Sequence, residues 1–185
     1  MHTIRYLAPL AAFAFIGSVH ASEWTVAADT SSVGFVAEQQ GGKFNGKFEE
    51  FTATIDFDPA APAGGSIIGV VVLESVDTKD YDRDGSLVET DWFDVANHPE
   101  ARFESTSIEA GSDGTFVAHG NLTLKGKTKP IDLTFSFSVA PSGDSAIFDG
   151  KLSVNRFDYN VGAGWNDTYM VGKDVEAQIR LTLNR

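Results

Sequence analysis

The chain has 185 residues, enough for one domain of ordinary size. Its 26 acidic residues against 14 lysines and arginines give a formal charge of −12, which excludes nucleic acid as a partner and disfavours anionic surfaces. There is no cysteine, so disulfides, thiolate nucleophiles and cysteine-ligated metals are excluded, while a hydrophobic share of 42% can fill a core.

Residues 1–21 read as a secretory leader. Arg5 sits in a short n-region, an apolar run follows from Leu7 to Gly17, and Val19-His20-Ala21 forms a small-residue cleavage site. The run is too short to span a bilayer comfortably. Secretion is therefore expected, with residues 22–185 as a single folded domain. Loss of the leader removes Arg5 and no acid, so the mature chain is one unit more negative.

The mature chain reads as strands. After a turn at Gly41-Gly42, Phe51, Ala53, Ile55 and Phe57 alternate with polar residues, as one face of a half-buried strand does. "DPAAPAGG" is turn composition, because Pro fixes φ and Gly permits positive values. "SIIGVVVLESV" is apolar on both faces and is expected to pack on both sides.

"DYDRDGSLVETD" (80–91) imitates the start of a calcium loop, with Asp80, Asp82, Asp84, Gly85 and Asp91 in register. Its upstream flank is rich in Val and strand-like, and Asp91 is one methylene short of the bidentate Glu that closes such loops. Calcium stays a minor alternative. Residues 84–98 approach helical spacing through Leu87, Val88, Trp92, Phe93 and Val95, and end before Pro99. A short helical excursion is expected there.

Turn compositions at "AGSDG", "KGKTKP" and "PSGD" separate the later strands. Ile131, Leu133, Phe135, Phe137 and Val139 alternate with polar residues, as do Val175, Ala177, Ile179, Leu181 and Leu183. Short strands at this spacing predict an antiparallel sandwich or barrel. A barrel of about eight strands either fills itself with side chains or encloses one small ligand. All but Phe13 and Phe15 of the 14 phenylalanines lie in the mature chain, which suits either outcome.

The segment from Val76 to Thr106 resembles the hallmark of the YceI-like family of secreted, lipocalin-like polyisoprenoid-binding proteins. Thr78, Arg83-Asp84, Leu87, Phe93-Asp94, Pro99 and Phe103-Glu104-Ser105 carry that resemblance. It extends to Trp24, Ser31-x-Val33-x-Phe35, Gly46-x-Phe48-x-x-Phe51, Ile55-x-Phe57-Asp58, "HGNLTLKGKTKPIDL", "NRFDYNVGAGW", Val171-Gly172 and Val175. One departure is visible: many members carry His where this chain has Thr30. The resemblance implies an all-β, antiparallel, eight-stranded lipocalin-like barrel with the excursion near its mouth. It also implies a periplasmic carrier of an isoprenoid lipid or quinone, and members that often pair as homodimers. Transient contact with a membrane or a membrane protein would serve loading. A fatty acid or amide carrier, and a calcium-stabilised domain with a solid core, are the alternatives.

An isoprenoid chain needs only apolar surroundings. Each buried methylene contributes about 0.8 kcal/mol, so a five-carbon unit contributes up to roughly 4 kcal/mol. The candidate lining is Phe35, Phe44, Phe48, Phe51, Trp92, Phe93, Phe103, Phe135, Phe137, Phe157 and Trp165, each of which could equally be plain core. A pyrophosphate head would need Arg83, Arg102 or Arg156, whose expected alternative is ion pairing to Asp84, Glu104 or Asp158. A neutral quinone head suits the negative chain at least as well and could meet Tyr159, Trp165, Asn166 or Tyr169. No cofactor or metal is expected. The chain has no G-x-S-x-G, H-E-x-x-H, P-loop or G-x-G-x-x-G, and His98 and His119 have no Ser or Cys close in sequence to activate. It is expected to bind rather than catalyse.

Overall fold

A computed structural model describes residues 23–185. The leader assigned to residues 1–21 lies outside the described residues.

Eleven strand segments join into one antiparallel sheet that closes on itself. Three pairs of segments are single strands with a break. β1 (Glu23–Val26) continues into β2 (Ser32–Gln39). β3 (Gly42–Phe48) continues into β4 (Phe51–Asp56), and β5 (Ser66–Val72) into the short β6 (Val76–Asp77). Five long strands follow: β7 (Glu100–Ala110), β8 (Thr115–Leu124), β9 (Lys127–Val139), β10 (Ser145–Asn155) and β11 (Asp174–Asn184). Each pairs with the next in sequence, and β11 returns to both β1 and β2. The result is an eight-stranded up-and-down barrel, as expected.

The alternation read from the sequence sets the faces. Leu133, Phe135 and Phe137 of β9 and Leu181 and Leu183 of β11 are buried, and their alternating polar neighbours face out. β5 departs from expectation. Ile67 is buried, but Ile68, Val70 and Val72 are half-exposed on the outer face, with no second layer over them among the described residues.

The excursion contains a helix, but an earlier and shorter one than 84–98. α1 spans Tyr81–Leu87, and the Asp80 side chain caps it by accepting the Arg83 N–H. Residues 88–99 continue as turns, with Asp94 at φ 54°. Asp80 favours the N-cap because its carboxylate satisfies an orphan amide of the first turn.

The two ends of the barrel differ. At the end holding the β4–β5, β7–β8 and β9–β10 turns, Phe57 sits edge-on to Phe116, Phe135 and Phe137, with centroids 4.9, 5.2 and 5.0 Å away. Phe148 stacks on Phe135 at 4.8 Å, and Trp24 closes the cluster against Phe137 at 5.4 Å. Trp24 Nε1 donates to the Phe57 carbonyl at 2.9 Å, so the one polar group of this plug is satisfied.

Candidate functional site

Above the plug the lumen stays open. A cavity of about 230 Å³ runs between β2, β3, β4, β5, β7, β8, β9, β10 and β11, under Leu87, Trp92 and Phe93. Its wall is almost wholly carbon. Among the described lining residues, Thr52 and Arg156 alone carry a hydroxyl or a charge.

Of the candidate lining residues, Phe35, Phe44, Phe48, Trp92, Phe93 and Phe103 stand in the cavity wall. The other aromatic candidates stand elsewhere. Phe135 and Phe137 belong to the plug, because periodicity fixes the face of a strand and not the height along the barrel. Phe51 is half-buried against the core without reaching the cavity wall. Phe157 lies under the Arg156 guanidinium, 4.1 Å from ring centroid to Cζ. Trp165 (47% exposed) and Tyr169 (66% exposed) sit on the outer rim. Trp165 packs on Trp92 at 6.3 Å, and the Tyr169 ring lies over Gly41. Most of the wall is aliphatic and went unnamed as lining. Leu152 and Val154 alternate in "SAIFDGKLSVN", the signal that could have found them.

Neither Arg102 nor Arg156 is free for a phosphate. Arg102 is on the outer face of the barrel, 3.1 Å from Glu104. Arg156 is 3% exposed and donates from all three nitrogens to backbone carbonyls: Nε to Gly172, Nη1 to Val161 and Gly162, Nη2 to Trp165 and Val171. The expected pair with Asp158 is therefore replaced by five carbonyls of the 161–172 loop. Burial pulls the Arg156 pKa below its ordinary value, yet those carbonyl dipoles suit a cation. The guanidinium fork holds the loop across the barrel end. Arg83 pairs with Asp80 at 3.2 Å rather than Asp84, donates to Gln39 at 3.1 Å, and lies 4.0 Å over the ring of Phe44. Tyr159 is buried, and burial raises its pKa, with Asp158 adding to the shift. Asn166 is exposed in the loop.

The loops of this end form a cap. Gly162 N–H donates to the Asp91 carbonyl at 2.8 Å, and Trp92 packs so closely on Gly162, at φ 60°, that a Cβ there would meet the indole. Lys125 Nζ, from the β8–β9 hairpin, bonds the carbonyls of Asp91 and Asn160. Gln40 N–H reaches the Met170 carbonyl, and Gly172 N–H that of Glu38.

The acidic stretch at 80–91 is occupied by this architecture. Asp80 caps α1, and Asp84 accepts from Thr78. Among the described residues there is no cluster of three or more His, Asp or Glu side chains that could hold a metal.

Residues 24–183 match the family model of the YceI-like domain. The chain belongs to the YceI-like family. Burkholderia cenocepacia BcnA has a crystal structure 31% identical in sequence, with a TM-score of 0.80 over 85% of this chain and 99% of that one. The Campylobacter jejuni YceI protein is 24% identical, with a TM-score of 0.67 over 76% of this chain and 84% of its own. A polyisoprenoid binding domain from Saccharophagus degradans, implicated in plant cell wall breakdown, shares the fold at 18% identity and a TM-score of 0.66, over 89% of this chain and 98% of its own. Among curated relatives, a UPF0312 protein of Ectopseudomonas mendocina is 32% identical over 120 residues, and one of Yersinia pestis 34%. The matched stretch spans 63% of this YceI-like chain and 63% and 62% of those relatives.

Proposed function

We propose that this YceI-like protein is a periplasmic carrier that encloses the apolar chain of an isoprenoid lipid, with a neutral head such as a quinone ring. The observation that carries this is the cavity wall: almost wholly carbon, with its one charged group spent on five carbonyls. Such a wall gains roughly 25 cal/mol for each Å² of apolar ligand surface it covers. It gives nothing to a pyrophosphate, whose burial without a cation would be costly. The Saccharophagus relative, named as a polyisoprenoid binding domain, supports the chain type. The run at 1–21 supports export. A carrier needs no reaction, and the site assembles no nucleophile with a base. Pairing of two copies, and brief contact with a membrane or membrane protein during loading, belong to the same proposal.

The test is extraction. Protein expressed with its leader and recovered from the periplasm is treated with chloroform–methanol, and the extract is read by mass spectrometry. A prenyl-chain compound with a neutral head is expected. A fatty acid or amide would change the ligand class, and an extract without lipid would overturn the carrier.

A further inference from the structure

The two ends of the barrel are built differently. The plug around Phe57 fills one, and the loops held by Arg156 and Lys125 lie over the other. An apolar molecule therefore enters either past these loops or through a wall. Among the described residues the wall has several gaps in its ladders. Between the upper halves of β9 and β10, pairing stops at Thr134–Lys151, and the turn Arg156–Tyr159 packs in, with Tyr159 buried. Near the lower end of β5 and β7, the turn Pro62–Gly64 packs on β7.

At a third gap the adjacent turn Ala28–Thr30 packs on β11 instead. β1 pairs with β4 only at Glu23–Asp56 and Trp24–Ile55, and β2 meets β3 from Val33–Phe48 onward. Between these points residues 27–31 bend toward β11. Ala27 N–H donates to the Thr182 carbonyl, Thr182 N–H to Ser31 Oγ, and Thr182 Oγ1 to the Thr30 carbonyl. The turn Ala28–Thr30 buries none of its residues. The β1–β2 side of β4 is thus unpaired from Phe51 to Thr54, a seam of roughly 13 Å at 3.2–3.4 Å per residue.

The cavity reaches this seam. Val33, Gly34, Thr52 and Ala53 all line it, and among the described lining residues Thr52 alone is exposed. Thr52 and its partner Val70 point outward by alternation and still line the cavity, so it lies against the β4–β5 backbone beside the seam. There the half-exposed stripe Ile68, Val70 and Val72 gives an apolar approach.

We propose that the seam between β2 and β4 is the lateral portal through which the apolar ligand enters tail first. Its neutral polar end stays at Thr52 and the free backbone groups of β4. This rests on the carrier function proposed above and specifies its route.

The absence of cysteine makes the test clean, since one introduced thiol is unique. Thr52→Cys, Ala96→Cys in the cap and Ser112→Cys beyond the plug are each compared before and after reaction with a bulky maleimide. The probe is diphenylhexatriene, a neutral rod-shaped hydrocarbon whose fluorescence rises in apolar surroundings. Stopped-flow mixing gives uptake, and dilution into liposomes gives release. Labelling at 52 is expected to slow both by about tenfold or more while the affinity of the slowly equilibrated complex changes far less, as a blocked path requires. Labelling at 96 or 112 is expected to leave the rates alone. Slowing at 96 with none at 52 places entry at the cap and overturns the portal, as do unchanged rates at all three sites. If unlabelled protein takes up no probe at all, the carrier function fails first and the portal with it.

Discussion

Thr78 and Asp84 form a closed clasp at the entrance to α1. The Thr78 hydroxyl donates to Asp84 Oδ1 at 2.6 Å, and the Thr78 N–H donates to the same oxygen at 2.9 Å. Thr78 is 5% exposed. The clasp ties the strand end at β6 to the helix and so seats Leu87 and Phe93 over the cavity. It gives physical content to the Thr-x4-Arg-Asp motif. The Asp supplies the acceptor, and the Arg covers Phe44.

Asp84→Ala should therefore destabilise the protein by about 2–4 kcal/mol, since a buried hydroxyl and an amide lose a charged acceptor. Asp82→Ala, whose exposed carboxylate has no such duty, should have little effect. Because Asp80 and Asp84 are already engaged, millimolar calcium and EDTA should leave the melting temperature unchanged. A calcium-dependent rise, which binding to the native state would produce, would show that the loop can rearrange around an ion.

Gly69 lies in β5 with its missing side chain aimed at the lumen, opposite Ala53 and Phe103. A Cβ there would meet nothing within 4 Å. Glycine inside a strand costs roughly 0.5–1 kcal/mol in backbone entropy relative to alanine. Gly69→Leu should thus hold or raise the unfolding midpoint while occupying the cavity, so that lipid recovered per mole of protein falls several-fold. Most lumen substitutions lose stability and ligand together. One that separates them tests the cavity itself, and undiminished lipid in a stable Gly69→Leu protein would place the ligand elsewhere.

Arg156 should behave as a structural residue. Lysine offers one ammonium with three donors and cannot satisfy five carbonyls. Arg156→Lys should cost about 3 kcal/mol or more, from carbonyls left buried without donors. At 2–4 °C per kcal/mol for a domain of this size, the melting temperature should fall by roughly 6–12 °C. Amide exchange should quicken from Val161 to Gly172 before it quickens in β10. A head-group role would instead predict an intact loop with weakened ligand retention.

Much of this was legible in the sequence, and the misses share a cause. Alternation in β9 and β11 marks which side chains turn inward, and the ordered motifs point to one closed barrel. Neither marks height along the axis. Phe135 and Phe103 have the same periodic signature, yet one joins the plug and the other the cavity wall. The difference lies in Phe57, which follows β4 and turns into the lumen below them. For Arg156 the sequence offers Asp158 two residues away. The real partners are carbonyls five to sixteen residues on, and every residue has a carbonyl, so composition carries no trace of them. The seam is a matter of pairing register, set where residues 27–31 follow Thr182 rather than β4.

On the far wall His119 is flanked by two carboxylates. Its Nδ1 lies 2.7 Å from Asp132, its cross-strand neighbour, and its Nε2 lies 3.4 Å from Glu109. The hydrogen bond to Asp132, then that to Glu109, raises the His119 pKa above its ordinary value of 6.5. A raised folded-state pKa means that the native chain holds this proton more tightly than the unfolded chain does. The resulting stabilisation is complete below the unfolded value and fades as pH rises through the folded one. Stability should therefore decline from pH 6.5 upward across that interval, and His119→Gln should flatten the decline. The group is solvent-exposed, so the effect should be small and should shrink further in high salt. Denaturant midpoints measured at half-unit pH steps, with the imidazole followed by NMR, decide it. A folded-state titration at or below 6.5 would show that neither carboxylate holds the ring in solution.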